Sequence, residues 1–200
     1  MRKIKDISEK EMIAVFLKGE LHSDRWGGTI KKLLEDEHLS TNIIDSPDFD
    51  RIDENYFRKK ILAQFRGFDK NESLFHTFPK DVTWVRASIT KEELESVLYI
   101  KWEYWLTLTN GSRLPHDGVK TILENPENEE TKRFWKVAES IKAGTQFPEL
   151  ILVAKDENSP LVVLEGQVRL TAYCMVPDYI PKEMEVIVGY SKHMDQWDNY

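Results

Sequence analysis

The stretch LVVLEGQVRLTAY, residues 161–173, carries the strongest local signal for the fold. Residues 161–164 are apolar and predict a buried strand, Glu165 and Gly166 interrupt it, and residues 167–173 fit the first turns of a helix. Glycine at such a junction lets the backbone come close to a ligand, and a helix N-terminus offers free N–H groups and the positive end of its dipole. The stretch therefore predicts either an anion-binding turn or a tight structural turn.

Arg169 is the residue on which these two alternatives depend. The helix dipole disfavours a cation in the first turn by about 0.3–1 kcal/mol, and a bound anion would remove that penalty and give the guanidinium a partner. Glu165 and Arg169 are also spaced for an i,i+4 ion pair. On the residues alone the ion pair is the commoner arrangement, because strand–glycine–helix junctions occur in proteins of many functions.

The composition favours a folded, soluble, cytoplasmic protein. Of the 200 residues 40% are hydrophobic and 32% are charged. No run approaches the roughly 18 apolar residues that span a bilayer, and the N-terminal segment lacks the apolar region of a secretory signal peptide. The single cysteine, Cys174, cannot form an internal disulfide, which fits a reducing compartment.

The formal net charge of −7 is unevenly distributed. Residues 1–80 carry equal numbers of acidic and basic side chains, so the whole negative excess lies in residues 81–200. A protein that binds duplex DNA needs a field of cations that release counterions. This acidic balance argues against duplex DNA as a partner, and it is compatible with a local basic pocket for one small anion.

Helix and strand patterns interleave along the chain, which predicts a mixed α/β (α+β) fold. Residues 1–80 fit helices that pack on the core, and residues 81–200 fit an α/β domain. Capping-box patterns at Ser8 and Thr90 mark two helix starts. The aromatic stretch 99–109 fits a strand or a helix equally well.

The elements before the opening stretch give it a context. An amphipathic helix that contains AESIKAG (138–144) precedes the strand ELILVA (149–154), a hairpin turn and the strand that ends in Gly-x-x-Arg. This order resembles the ParB/sulfiredoxin-like superfamily, well over about a third of the chain and more loosely over residues 81–190. The resemblance implies a ParB/sulfiredoxin-like domain with a helical N-terminal extension, and it implies nucleotide binding at the Gly-x-x-Arg turn.

The resemblance also assigns roles to five residues. Gly166 and Arg169 correspond to the glycine and arginine of the phosphate turn, and Gln167 and Val168 would offer backbone N–H groups. Glu165 stands where several members have an acidic residue, so it would hold a metal-bound water or act as a base. The implied ligand is ATP or CTP with magnesium, as in the sulfiredoxins, partition proteins and free-serine kinases of this superfamily.

Two departures narrow this implication. Gln167 stands where sulfiredoxins carry their catalytic cysteine, and Cys174 is expected to be a buried small side chain. Nothing after the motif matches the second nucleotide box or the DNA-reading helices of partition proteins. The expected function is therefore nucleotide binding at the Gly166-x-x-Arg169 turn, and whether the protein also turns the nucleotide over, as a magnesium-dependent phosphotransferase or NTPase, is left open. The alternatives are a non-catalytic nucleotide-sensing or sequestering module, acting with a protein partner (in a defence, toxin–antitoxin or phage-encoded system) or as a homodimer, and a purely structural protein.

A polar loop, residues 110–118, supplies a second group of candidates. Ser112 and Arg113 would reach phosphates, and His116 would act as an acid or base near neutral pH. The two turn pairs of this loop, Asn-Gly and Asp-Gly, favour a plain surface turn instead.

The remaining candidates have structural alternatives that we favour. Arg58 and Arg66 on one predicted helix would form a basic lobe over the nucleotide, but a solvated face with a Glu54–Arg58 pair is the simpler reading. Residues 25–28, RWGG, fit an interhelix turn better than a ligand loop. Trp102 and its aromatic neighbours would stack a base, although such clusters usually belong to a core. The five histidines lack metal-ligand spacing, so no metal site is predicted.

Overall fold

The computed structural model describes all 200 residues as a five-stranded mixed sheet with nine α-helices. Strands β1 to β5 comprise Arg2–Ile7, Thr83–Ile89, Leu150–Ala154, Val162–Glu165 and Met184–Tyr190. Helices α1 to α9 comprise Glu9–Leu21, Gly27–Asp36, Asn42–Asp45, Ile52–Arg66, Lys91–Glu95, Glu103–Leu108, Pro115–Glu124, Lys132–Lys142 and Gln167–Met175. The mixed α/β class predicted from the sequence is confirmed. None of these helices has the length and apolarity that crossing a bilayer requires.

The strand order places the candidate turn at the end of a covered strand. The sheet runs β1-β2-β5-β3-β4, with β3 parallel to β5 and all other neighbours antiparallel. Every residue of β3 and β4 is buried, which explains their continuous apolar sequences. The outer edge of β4 is covered in part by Leu98, which forms a parallel bridge with Val162. The Glu165–Gly166 junction therefore lies in the interior of the fold.

The N-terminal region is more closely tied to the sheet than its sequence indicates. Residues 1–80 were expected to be helical, but β1 pairs with β2 as an antiparallel edge strand. Its side chains are almost all exposed, so the strand lacks the alternating apolar pattern that sequence reading depends on. One cluster of 46 buried apolar side chains includes α1, α2, α4 and all strands except β1. The N-terminal helices and the sheet thus share a single hydrophobic core.

Several local predictions are confirmed and one ambiguity is resolved. Ser8 and Thr90 both make complete capping boxes, at the starts of α1 and α5. The ambiguous aromatic stretch forms the short helix α6, because the Tyr99 and Trp105 rings stack with their centroids 4.5 Å apart inside the core. An extended strand would have separated these rings.

Candidate functional site

Gly166 forms the turn between β4 and α9 and adopts a conformation that favours glycine. It is the N-cap residue of α9, with φ of 101° and ψ of 21°. A Cβ atom at this position would collide with the Leu150 side chain and would lie 3.2 Å from Nη2 of Arg169. The turn has no side-chain cap, and no acidic residue lies in the first turn of α9. The glycine is therefore needed both for its backbone angle and for close packing within the turn.

Arg169 is buried and its guanidinium is bound by protein groups. Nη2 donates a short hydrogen bond to Oε2 of Glu165, and these two groups form a buried i,i+4 ion pair. Nη1 donates to the carbonyl oxygens of Pro148 and, at 3.4 Å, of Glu149. The guanidinium thus ties the start of α9 to the carboxylate at the end of β4 and to the segment that leads into β3.

Glu165 carries a buried carboxylate whose proton affinity is increased. Burial raises its pKa from 4.5 to about 7, although the adjacent Arg169 guanidinium acts in the opposite direction. The charge of Glu20 raises this pKa further, and that of Arg66 lowers it. Burial thus shifts the pKa of this carboxyl upward, the direction in which enzymes often tune carboxyl groups that act as acids or bases.

Helix α1 covers the ion pair through Gly19. A Cβ atom at Gly19 would lie 2.8 Å from Nη2 of Arg169 and 3.0 Å from Oε2 of Glu165. Only a residue without a side chain lets the helix approach this closely. No local sequence pattern indicates this contact, because it joins residues that are about 150 positions apart.

The other two residues of the predicted phosphate turn lie at the start of α9. Gln167 and Val168 are both half-buried. The side-chain amide of Gln167 donates to the carbonyl oxygens of Val163 at 3.3 Å and Leu164 at 3.1 Å. The Gln167 side chain therefore folds back on β4 and braces the turn.

The polar loop of residues 110–118 does not join this turn through any hydrogen bond. Nε of Arg113 donates to the carbonyl oxygen of Tyr99 at 2.6 Å, and Nη1 donates to that of Tyr200 at 3.0 Å. Ser112 donates to the Thr109 carbonyl oxygen at 3.1 Å. His116 is exposed at the start of α7, which packs against α9. Arg113 thus fixes the C-terminal segment, and His116 faces solvent.

Arg58 is buried in the structure, whereas the sequence favoured a solvated position for it on the surface of α4. Its pair with Glu54 exists, at 3.4 Å, but only 1% of the Arg58 side chain is exposed. The guanidinium donates to the carbonyl oxygens of Ile43 at 2.6 Å and Asp48 at 3.1 Å, and to Oδ1 of Asn55 at 2.5 Å. These bonds hold the irregular segment between α3 and α4, and this use of a buried arginine explains the residue type.

Four residues that the sequence offers as separate candidates meet where α2 begins: Arg25, Trp26, Arg66 and Trp102. We call them the tryptophan–arginine cluster. Cζ of Arg66 lies 5.3 Å from the ring centroids of both Trp26 and Trp102, and Cζ of Arg25 lies 4.9 Å from that of Trp26. Arg66 is 5% exposed, has no ion-pair partner, and its Nε has no hydrogen-bond partner. Burial lowers the pKa of its guanidinium.

Other reactive groups and cavities contribute little to this region. No group of three His, Cys, Asp or Glu side chains is placed to hold a metal ion. The thiol of Cys174 is half-buried on α9, and burial raises its pKa to about 12, as expected of a packed side chain. A groove of about 1020 Å³ opens between β1, β2 and the β3–β4 hairpin, and none of the candidate residues lines it.

Comparison with known proteins gives no match to a family model, a curated protein or a solved structure. The family resemblance therefore stays a prediction that rests on the Gly166-x-x-Arg169 motif and on the order of the elements around it.

Proposed function

We propose that the protein binds a nucleotide or another small phosphorylated ligand at the Gly166-x-x-Arg169 turn. Two features support this function. The turn combines a left-handed glycine, a helix N-terminus without a side-chain cap and a guanidinium in the first turn of the helix. The order α8, β3, hairpin, β4 and α9 is also the order on which the resemblance to nucleotide-binding proteins rests.

The observation that carries the proposal is the state of Glu165. This carboxylate is the only charged partner of Arg169, and burial raises its pKa. Burying both charges carries a desolvation cost that their attraction only partly offsets. Protonation of Glu165 would weaken its hold on Arg169 and leave a cation beside the helix N-terminus. A phosphate could then replace the carboxylate as the partner of the guanidinium, with bidentate hydrogen bonds of the kind that arginine forms.

Turnover of the ligand is the more demanding form of this function. Glu165 would position a water or accept a proton once it is released from Arg169. Magnesium would come with ATP or CTP, because Mg²⁺ commonly binds substrate phosphates, several waters and only one or two carboxylates. This arrangement suits a protein with no group of three metal-binding side chains.

A non-catalytic nucleotide-sensing or sequestering module is the second candidate. It is favoured by the closed arrangement of the turn, in which Glu165 already pairs with Arg169 and α1 approaches both side chains at Gly19. Ligand binding would then have to separate this pair and move α1, and such a movement could pass to a protein partner or a second copy of the chain.

Titration calorimetry with a nucleotide panel, with and without magnesium, tests binding. We expect ATP or CTP to bind the wild type. Arg169→Lys should weaken binding by about tenfold or more, because lysine keeps the charge and loses the bidentate geometry. Arg51→Lys is the matched control, since Arg51 is exposed and pairs with Asp53. Absence of binding by the wild type, or equal binding by Arg169→Lys, would refute the proposal.

Release of phosphate separates the two candidates. If the protein is an enzyme, magnesium-dependent turnover should occur in the wild type and fall by at least about a hundredfold in Glu165→Gln. Nucleotide binding without any product would support the non-catalytic module. The glutamine variant keeps the size of the side chain and its ability to accept a hydrogen bond from Arg169, so the comparison isolates the charge.

A further inference from the structure

We infer that the N-terminus of α2 and the tryptophan–arginine cluster form a second anion site, which binds a phosphoryl group of a small ligand. The site uses Arg25, Trp26 and Arg66, with the backbone amides of residues 28 and 29, and no residue of the Gly166-x-x-Arg169 turn. It goes beyond the function proposed above and does not depend on it.

The first observation is a buried cation without a partner. Arg66 is 5% exposed, and its Nε is buried without a hydrogen-bond partner. No carboxylate lies within ion-pair distance, although the charges of Glu20 and Glu165 act on the guanidinium from farther away. The two other buried arginines are bound by protein groups: Arg58 by carbonyl oxygens, and Arg169 by a carboxylate and carbonyl oxygens. Buried charges are normally paired or hydrogen-bonded. Arg66 therefore has donors to offer to a partner that the chain itself does not supply.

The second observation is the way the indoles hold this guanidinium. Cζ of Arg66 lies over both indole rings, 5.3 Å from each centroid, so the guanidinium makes a cation–π contact with each of them. The N–H donors lie at the edge of the plane, where they can bind an oxyanion through two parallel hydrogen bonds. The two indole contacts thus place the guanidinium without using its N–H donors.

The third observation is the position of this fork beside a helix start. Trp26 is the N-cap residue of α2, a ten-residue helix with no side-chain cap and no acidic residue in its first turn. The amides of Gly28 and Thr29 make no hydrogen bond to the turn that precedes them. A Cβ atom at Gly28 would have no neighbour within 4 Å, so the backbone is open to a ligand at this point. Free amides and the positive end of the dipole both favour an anion here.

The charges around the cluster are compatible with an anion. Arg25 is exposed and stacks on Trp26, which adds a second cation at the same helix start. Glu20 and Glu165 are the carboxylates whose charges act on Arg66, and neither forms an ion pair with it, while Asp24 pairs with Lys136 at 3.3 Å. Two guanidinium groups and two free amides match the several oxygen acceptors of a phosphoryl group better than a single-charge carboxylate.

Isothermal titration with inorganic phosphate, at constant ionic strength and with chloride as the competing anion, tests this site. Tryptophan fluorescence gives a second readout, because Trp26 and Trp102 contact Arg66. We expect the wild type to bind phosphate with a change in fluorescence. Arg66→Met should weaken binding by about tenfold or more, and Arg25→Met by a few-fold. Arg51→Met, at an exposed arginine that pairs with Asp53, should bind phosphate like the wild type.

Three results would overturn the inference. The first is no phosphate binding by the wild type at millimolar concentrations. The second is unchanged binding in Arg66→Met or, should that variant fail to fold, in Arg25→Met, whose exposed position makes unfolding no concern. The third is a loss in Arg169→Lys with no loss in Arg66→Met, which would assign the phosphate to the β4–α9 turn. A parallel titration with ATP distinguishes free phosphate from the phosphate of a larger ligand.

Discussion

Two buried arginines, Arg169 and Arg66, make the most informative comparison in this molecule. Both are less than 10% exposed, and each is influenced by the charge of Glu165. Arg169 has a carboxylate and two carbonyl oxygens as partners, whereas Arg66 has two indole rings and no acceptor. The arginine in the recognisable motif is thus the one that the protein already satisfies.

This difference shows that a Gly-x-x-Arg motif does not by itself make the N–H donors of its arginine available to a ligand. A Gly-x-x-Arg turn predicts where a guanidinium lies relative to a helix N-terminus. Whether that guanidinium can bind a ligand depends on the carboxylates and carbonyls that the rest of the chain brings to it. At Arg169 a bound carboxylate must be displaced, and at Arg66 no carboxylate lies within ion-pair distance. Ligand binding should therefore cost more free energy at Arg169 than at Arg66.

Replacing each arginine by methionine should give the largest contrast. Arg169→Met removes one member of a buried ion pair and leaves Glu165 uncompensated, so we expect the free energy of unfolding to fall by about 3–5 kcal/mol. Arg66→Met should change it by no more than about 1 kcal/mol, because the lost stacking is offset by removal of a buried, unpaired charge. Urea denaturation of both variants without added anions measures the difference.

Equal losses in the two variants would contradict this comparison. A large loss in Arg66→Met alone would mean that the protein supplies Arg66 with a partner after all. In that case the cluster would be a structural element, and the inferred anion site would lose its main support. Phosphate in the buffer would obscure the result, so the measurement requires a buffer with large, weakly binding anions.

The prediction of these two sites from sequence succeeded to different degrees for physical reasons. The strand, glycine and helix at residues 162–175 were predictable because each follows from local composition and spacing. The i,i+4 relation of Glu165 and Arg169 also anticipated their pairing. Burial of that pair under Gly19 was not predictable, because it depends on how α1 docks on the sheet.

The tryptophan–arginine cluster shows the same limit more strongly. Its members lie at positions 25, 26, 66 and 102, on three separate segments whose proximity no local pattern encodes. Each was considered from the sequence alone, and each had a plausible structural role by itself. Strand β1 was not predicted for a different reason. It is an exposed, charged edge strand, so its sequence lacks the alternation of buried and exposed residues that indicates a strand. Long-range docking and exposed edges are thus where sequence reasoning stops for this chain.

The stability of the protein should depend on pH through the buried carboxyl group of Glu165. The folded-state pKa of this carboxyl is raised above its ordinary value of 4.5 to about 7. The folded state therefore binds the proton more tightly, and the resulting stability is fully present below pH 4.5 and is lost as the pH rises through about 7. Glu165→Gln lacks this titration. Relative to the variant, the wild type should lose on the order of 3 kcal/mol between pH 4.5 and pH 8.

Urea denaturation of the wild type and Glu165→Gln at several pH values measures this change. The informative quantity is the variation of the difference with pH, because its absolute size includes the interaction of the glutamine amide with Arg169. A constant difference across this range would mean that Glu165 is ionised throughout and holds Arg169 firmly. The carboxylate would then be a poor candidate to yield its place to a phosphate, and the proposed function at this turn would be weakened.

Two glycines allow a smaller test of how closely each site is covered. Gly19→Ala places a Cβ atom 2.8 Å from Nη2 of Arg169, so α1 or the ion pair must shift, and we expect a loss of about 1–3 kcal/mol. Gly28→Ala adds a Cβ atom with no neighbour within 4 Å, and alanine in a helix should gain about 0.5–1 kcal/mol. Opposite signs in thermal denaturation would show that Arg169 lies under a tight cover while the start of α2 is open.

If Gly19→Ala were neutral, α1 would be able to move away from the Glu165–Arg169 pair at little cost, and the β4–α9 turn would be accessible to a ligand without a large rearrangement.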